Sequence, residues 1–131
     1  MNLKFPKIRP LPLKKRVHLQ DIDPSGKEKC KLDKKEAKPV QEALCRELAN
    51  LQRLIYADHK RSLLVVLQGM DTSGKNGTIR NVFHLTDPGG VRVASYKKPS
   101  SLELDHDFLW RIHAEAPQKG DIGIFDRSHY E

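Results

Sequence analysis

The sequence predicts an α/β protein whose strands form a parallel sheet. Short apolar runs and amphipathic stretches alternate as strand, helix, strand, helix, strand, which is typical of parallel strands joined by right-handed crossovers. The chain of 131 residues has room for one domain with one core. Hydrophobic residues make up 37% of the chain and charged residues 31%, which suits a soluble protein.

The first predicted element is a helix over residues 39–57. Its apolar residues recur at steps of three or four, which places them in one stripe along a helix, and Pro39 suits the first turn. Cys45 borders the stripe and is expected in or near the core. The residues of the stripe are Val40, Leu44, Leu48, Leu51 and Ile55.

The later elements are predicted from apolar runs and their boundaries. Residues 62–68 form a short apolar run of the kind expected of a strand buried on both faces. Ser100 and Glu103 fit a capping box at the start of the third helix. The remaining elements are predicted as a helix over 75–85, a strand over 91–96, a helix over 99–117 and a strand over 121–126.

A glycine-rich stretch, QGMDTSGKNGT, joins the first strand to the second helix and predicts a phosphate-binding loop. It contains the pattern G-x-x-x-x-G-K. Glycines let backbone N–H groups approach an anion closely, the start of the helix adds positive potential, and the lysine adds a point charge. An ordinary turn with an exposed lysine is the alternative. The predicted phosphate-binding residues are Gly69, Gly74, Lys75, Asn76 and Gly77.

The loop lacks the Ser or Thr that normally binds magnesium, because Asn76 stands after the lysine. Two carboxylates offer a replacement: Asp71 inside the loop, and Asp126 at the end of the third strand, where a Walker-B-like acid is expected. Magnesium prefers oxygen ligands and often uses one or two carboxylates together with substrate phosphate. We therefore predict that Asp71 and Asp126 bind Mg²⁺. A turn-forming role is the alternative for Asp71.

Positive charge is concentrated at the N-terminus. Residues 1–38 hold 12 Lys or Arg against 5 Asp or Glu, whereas residues 39–131 hold 12 of each, so the net +7 lies in the first segment. This basic, proline-containing segment is predicted to attract a polyanion, and a solvated tail is the alternative. Cys30 and Cys45 are too few for a disulfide framework, which favours the cytoplasm.

Three motifs in this order and spacing resemble the family-2 polyphosphate kinases: LLVVLQGMDTSGKNGTIRNVF, ELDHDFLWRIH and GIFDRSHYE. The resemblance covers roughly residues 15–131. It implies a three-layer P-loop kinase fold like that of thymidylate kinase. It also implies magnesium-dependent transfer of a phosphoryl group between inorganic polyphosphate and a nucleotide. The family's loop acid and lysine match Asp71 and Lys75, and its second acid and arginine match Asp126 and Arg127. The family's loop also lacks the hydroxyl residue, so Asn76 fits it.

The leading prediction is a polyphosphate-dependent nucleotide kinase with Asp71, Lys75, Asp126 and Arg127 as catalytic residues. The DHDFLWRIH version of the second motif most resembles the branch that phosphorylates AMP and ADP. The expected partners are polyphosphate and a nucleotide, with a homo-oligomer in a full-length form and neither a membrane nor a specific nucleic acid. An ATP-dependent nucleoside monophosphate or small-molecule kinase and a non-catalytic polyanion-binding protein are the alternatives.

Other polar residues are weaker candidates. Arg80 and Arg111 are each read either as phosphate contacts or as solvated helix residues. The histidines lack convincing ligand spacing and are read as packed or surface residues; they are His106, His113 and His129.

The resemblance also implies that residues 39–131 are the N-terminal part of a P-loop kinase domain. We expect this part to be truncated after the third strand and to lack a lid. We expect residues 1–131 alone to bind polyphosphate weakly and without appreciable turnover.

Overall fold

A computed structural model of the chain describes residues 32–130, together with His18 and Gln20. Most of the predicted N-terminal segment, including Cys30, therefore lies outside the described residues. Within the described part the strands and helices alternate as predicted. The elements are α1 Lys34–Asp58, β1 Leu63–Leu67, α2 Lys75–Phe83, a 3₁₀ turn Pro88–Gly90, β2 Val91–Ser95, α3 Ser101–Leu104, α4 Trp110–Ala114 and β3 Ile122–Asp126.

The sheet is parallel, with β3 in the centre and the strand order β1-β3-β2. Leu67 at the end of β1 and Ser95 at the end of β2 both pair with Asp126 at the end of β3. The carboxyl ends of all three strands therefore meet at one edge of the sheet, where ligands bind in open α/β folds. The glycine-rich loop follows β1 at this edge, and Arg127 follows β3.

The prediction that the first strand is buried on both faces is wrong. Leu63, Leu64 and Val66 of β1 are exposed, whereas every residue of β3 is buried. The reason is position in the sheet, because β1 pairs with β3 alone in the described part of the chain. The central position, and with it burial on both faces, belongs to the IGIFD run of β3.

The core is built around β3. The ring of Phe125 meets that of Tyr96 edge to face, with the centroids 5.1 Å apart, and Ile112 of α4 packs against this cluster. Ile122 and Ile124 alternate with Phe125 and so belong to the opposite face of the sheet. Gly123 permits close packing, since a Cβ there would lie 3.0 Å from the ring of Pro117.

Helix α1 is longer than predicted and buries a different line of residues. It begins at Lys34, so Pro39 lies inside the helix rather than in its first turn. The predicted stripe is confirmed only in part, because Val40, Leu48 and Ile55 are half-buried whereas Leu44 and Leu51 are exposed. The residues that are buried are Cys45, as expected of a core thiol, with Ala49 and Gln52.

Two hydrogen bonds explain the orientation of α1. The thiol of Cys45 lies 3.3 Å from the Asn81 carbonyl oxygen in α2 and donates to it, and Gln52 Oε1 accepts from the Asp87 N–H at 3.2 Å. Small or polar side chains on this line allow α1 to approach its neighbours closely. The spacing of the leucines predicts an apolar stripe, but the hydrogen bonds of Cys45 and Gln52 to distant residues determine which side of the helix faces the core.

The third predicted helix, over 99–117, is two short helices, α3 and α4, separated by residues 105–109. The side chain of Asp107 accepts from the Leu109 N–H at 2.9 Å, and such local bonds compete with a continuous helix. The capping box is confirmed: Ser100 N–H donates to Glu103 Oε2 at 2.6 Å, and Glu103 N–H donates to Ser100 Oγ at 3.3 Å. No helix of the described part is long and apolar enough to cross a membrane.

Candidate functional site

The loop between β1 and α2 turns sharply on two left-handed residues. Gly74, with φ 88°, directly precedes the first residue of α2, and Thr72 has φ 64°. Glycine adopts this conformation without strain, which explains why it stands immediately before the helix. Gly69 suits the tight loop for another reason, because a Cβ there would lie 2.8 Å from Ser73 Oγ and that side chain would have to shift. The loop therefore folds tightly at the carboxyl edge of the sheet.

Lys75 is the first residue of α2, and its side chain folds back across the loop. Its ammonium group donates to the carbonyl oxygens of Gly69 at 2.6 Å and Met70 at 3.0 Å. These bonds fix a positive charge against the loop that joins the strand to the helix. A phosphate oxygen would offer the ammonium group a charged partner, and charge-assisted hydrogen bonds are stronger than bonds to neutral carbonyls.

Asp126 ends β3 with its carboxylate almost wholly inside the protein. The residue is 8% exposed, and its Oδ1 atom is buried without a hydrogen-bond partner. A buried carboxylate oxygen is unfavourable when nothing compensates its lost hydration. An oxygen of this kind at the end of a parallel strand is well suited to a cation.

Arg127 connects the end of β3 to the loop. Its Nη2 donates to Asp71 Oδ1 in an ion pair between residues 56 positions apart. The Asp71 side chain is 83% exposed, so water screens this pair and it contributes little to stability. Its importance is positional, since it shows that the loop carboxylate and the Arg127 guanidinium reach the same point.

These residues surround one cleft of about 250 Å³. Every predicted site residue except Gly69 lines it, and Gly69 contributes the carbonyl that Lys75 contacts. Residues predicted from two separate motifs are thus brought together, although their roles stay predictions. The lining residues are Asp71, Thr72, Ser73, Gly74, Lys75, Asn76, Gly77, Asp126 and Arg127.

The cleft fits a magnesium ion better than a metal held by protein ligands alone. In residues 32–130 no group of three or more His, Cys, Asp or Glu side chains is arranged to hold a metal. Two carboxylates, Asp71 and Asp126, do line the cleft, and one of them has an unpartnered buried oxygen. This donor set matches the preference of Mg²⁺ for one or two carboxylates completed by water and substrate phosphates.

The interpretation of Arg111 as a solvated helix residue is wrong, because its side chain is largely buried. It donates to the Lys97 carbonyl oxygen at 2.9 Å and lies over the Tyr96 ring, 5.3 Å from the centroid. Glu103 Oε1 is 3.8 Å away. Arg111 is therefore held by packing, and it borders a second cleft, of about 220 Å³, near His106 and His129.

The other weak candidates lie outside the phosphate-loop cleft. Arg80 is exposed on α2, and His113 is exposed on α4. His106 stacks on Trp110 with the ring centroids 4.1 Å apart, and His129 lies at the same distance from Tyr130. The interpretation of these histidines as packed or surface residues agrees with their positions.

Sequence reasoning missed two polar residues beside the cleft. Ser128 is buried, and its Oγ donates to Gln68 Oε1 at 2.9 Å. Both lie inside the quoted motifs, but neither was assigned a chemical role there. Their positions do carry a signal, since Gln68 directly precedes the loop and Ser128 lies two residues after the last residue of β3. Polar residues at the carboxyl ends of neighbouring parallel strands are expected to meet.

Comparison with known proteins identifies the family. The family model "Polyphosphate kinase 2 (PPK2)" matches residues 31–131. The chain belongs to the polyphosphate kinase 2 family. It is similar to the polyphosphate kinase 2 of Arthrobacter aurescens TC1, whose crystal structure superimposes with a TM-score of 0.81 at 38% identity, over 87% of this chain and 42% of that one. The predicted P-loop kinase fold is thereby confirmed.

Two curated relatives of the polyphosphate kinase 2 type are close to half identical. The AMP/ADP-polyphosphate phosphotransferase of Meiothermus ruber is 47% identical over 116 residues, which are 88% of this chain and 43% of that protein. The ADP-polyphosphate phosphotransferase of Rhodopseudomonas palustris is 48% identical over 84 residues, which are 64% of this chain and 29% of that protein. The chain thus spans less than half the length of these relatives.

Proposed function

We propose that the protein transfers a phosphoryl group between inorganic polyphosphate and AMP or ADP, in a reaction that depends on magnesium. The observation that supports this most strongly is the convergence of Asp71, Lys75, Asp126 and Arg127 on one cleft at the carboxyl edge of the sheet. The family and the names of the relatives from Meiothermus ruber and Rhodopseudomonas palustris support the choice of donor and acceptor.

Phosphoryl transfer requires mainly positioning and neutralisation of charge, and the cleft residues divide these tasks. The N–H groups at the start of α2 and the Lys75 ammonium group hold phosphate oxygens. The Arg127 guanidinium lies across the cleft and neutralises charge on the transferred group, because its planar fork matches phosphoryl oxygens. Asp71 and Asp126 would hold magnesium, which would offset the negative charge of the phosphates when bound.

The donor distinguishes this proposal from the ATP-dependent kinase. The full-length gene product, given AMP or ADP with long-chain polyphosphate and magnesium but no ATP, should form the next higher nucleotide. The measurement is chromatographic separation of AMP, ADP and ATP over time. Product formation only when ATP is the donor would replace the proposal with a conventional nucleotide kinase. Absence of transfer from either donor would favour a polyanion-binding protein.

Two variants in the same assay test the metal-binding carboxylates. Asp126→Asn keeps the size of the side chain but removes the charge of the buried carboxylate, so transfer should be lost at ordinary magnesium concentrations. Asn76→Ser restores the hydroxyl of the common loop pattern and should change the rate little. Wild-type transfer by Asp126→Asn would contradict the assignment of this carboxylate to magnesium.

A further inference from the structure

A partly buried hydrogen bond joins the segment after β3 to Gln68, the exposed residue before the phosphate loop. Ser128 is 3% exposed, and its Oγ donates to Gln68 Oε1 at 2.9 Å. The same hydroxyl oxygen accepts from the Tyr130 N–H at 3.2 Å. One residue earlier, the Arg127 N–H donates to the Leu67 carbonyl oxygen at 3.0 Å. The two strand ends are thus joined by a backbone bond and a side-chain bond at successive positions.

Arg127, between these bonds, has a backbone conformation that a residue with a side chain seldom adopts. Its φ is 76°, in the left-handed region. Such a residue persists only where its surroundings determine its conformation strongly, and these conformations cluster at functional sites. The Arg127 N–H is bonded to the end of β1, and the next residue, Ser128, is bonded to Gln68 through its hydroxyl. The backbone is therefore held both at Arg127 and directly after it. With this backbone, the guanidinium reaches Asp71.

We propose that Gln68 and Ser128 are positioning residues that hold Arg127 in its left-handed conformation and thereby set the guanidinium across the cleft from the phosphate loop. Ser128 does not line the cleft that contains Asp71, Lys75 and Arg127, and Gln68 lines a neighbouring cleft with Ser73 and Lys75. We therefore assign both residues a role through Arg127, to which the bonded segment leads. The inference rests on the proposed function, because it assumes that Arg127 contacts the transferred phosphoryl group.

A double-mutant cycle on the full-length gene product tests this inference. Ser128→Ala removes the hydroxyl and should lower kcat roughly 10- to 100-fold, since small displacements of a reacting group can reduce rates by this much. The KM for the nucleotide should change little. In an Arg127→Ala background, Ser128→Ala should have no further effect on kcat, because the group that it positions is already absent. Equal losses in both backgrounds, or an unchanged kcat, would overturn the proposal.

A second variant and two controls keep the test decisive. Gln68→Met removes the acceptor of the same bond without changing the segment after β3, and it should reproduce the kcat loss if Ser128→Ala does not fold. Ser62→Ala changes an exposed serine and should leave kcat unchanged. Thermal melting of each variant separates loss of folding from loss of positioning.

A crystal structure of the Ser128→Ala protein separates failure of the inference from failure of the proposed function. If Arg127→Ala retains wild-type kcat, the proposed catalytic role of Arg127 is wrong. The backbone conformation of Arg127 in the Ser128→Ala crystal structure then tests the positioning role by itself. A φ at Arg127 that leaves the left-handed region would support the positioning role. A φ that stays near its wild-type value would overturn it.

Discussion

Asp126 and Tyr96 carry two buried polar atoms, Oδ1 and Oη, for which the described part of the chain provides no hydrogen-bond partner. The two residues are also connected, since the Tyr96 N–H donates to the Asp126 carbonyl oxygen at 3.0 Å. Their surroundings differ. Asp126 lines the cleft, whereas Tyr96 packs against Phe125 and lies beneath Arg111. A cation bound as proposed would give the Asp126 oxygen a partner, whereas the Tyr96 oxygen is buried by packing.

The buried hydroxyl of Tyr96 makes stability depend on alkaline pH. Burial, reinforced by the Glu115 charge and opposed by Arg111, raises the pKa of Tyr96 from 10.0 to about 12. Between these values the unfolded chain has released the proton while the folded chain retains it, so stability falls as the pH rises. Tyr96→Phe should therefore lose less stability than the wild type between pH 8 and pH 11.

Urea denaturation of the 131-residue chain at the two pH values measures this difference. Tyr56→Phe changes an exposed tyrosine and is the matched control, because it keeps the ring and should follow the wild type. Equal alkaline losses in Tyr96→Phe and the wild type would show that the Tyr96 hydroxyl is not protected from ionisation in the folded chain.

At the scale of elements, the sequence predicts the type and order of the helices and strands better than it predicts which of their sides is buried. Helix α2 and all three strands lie within two residues of their predicted ends, because they coincide with apolar runs and because the turn-forming residues DPGG at 87–90 separate α2 from β2. The phosphate-loop residues could also be predicted, since a strand, a glycine loop and a helix form a local unit. The edge position of β1 and the inward side of α1 depend on contacts between distant residues, which the pattern of a single segment does not contain.

Two adjacent residues of α1 test whether distant contacts, and not leucine spacing, determine its buried side. Sequence periodicity assigns Leu51 to the core, yet it is 49% exposed, whereas Gln52 is 1% exposed and accepts from the Asp87 N–H. Gln52→Leu should lower the free energy of unfolding by about 1–3 kcal/mol, because the Asp87 N–H loses its partner. Leu51→Gln should change it by no more than about 0.5 kcal/mol, as is usual for surface positions.

Urea denaturation of both variants of the 131-residue chain at neutral pH provides the measurement. The pair is internally controlled, since the two substitutions exchange the same residue types at neighbouring positions. A larger loss in Leu51→Gln than in Gln52→Leu would restore the leucine stripe as the buried side of α1.

At the scale of the whole molecule, charge and site lie in different parts of the sequence. The cleft residues belong to the segment 39–131, which is neutral overall, while the whole excess of +7 lies in residues 1–38. A polyanion such as polyphosphate would thus meet two kinds of attraction. One is local and depends on geometry at the phosphate loop, and the other is diffuse and depends on net charge. Salt separates them, because screening weakens diffuse attraction between exposed charges most.

Helix α1 shows where the basic segment can be removed with least disturbance. Asp33 caps the start of the helix, since its Oδ1 accepts from the N–H groups of Lys35 at 2.8 Å and Glu36 at 2.7 Å. A deletion of residues 1–32 keeps this cap, and it removes nine Lys or Arg residues against three Asp or Glu residues, a net charge of +6. Deletion through residue 38 would cut into the helix and confuse loss of charge with loss of structure.

The deletion of residues 1–32 should therefore sharply weaken polyphosphate binding at low salt and flatten its dependence on salt concentration. Lys75→Ala removes one charge from the cleft and should weaken binding only modestly, with most of the salt dependence kept, because the N-terminal excess remains. Calorimetric titration of the 131-residue chain with long-chain polyphosphate, at several salt concentrations, provides the measurement. An unchanged salt dependence after the deletion would mean that the cations of the described part, and not the N-terminal segment, attract the polymer.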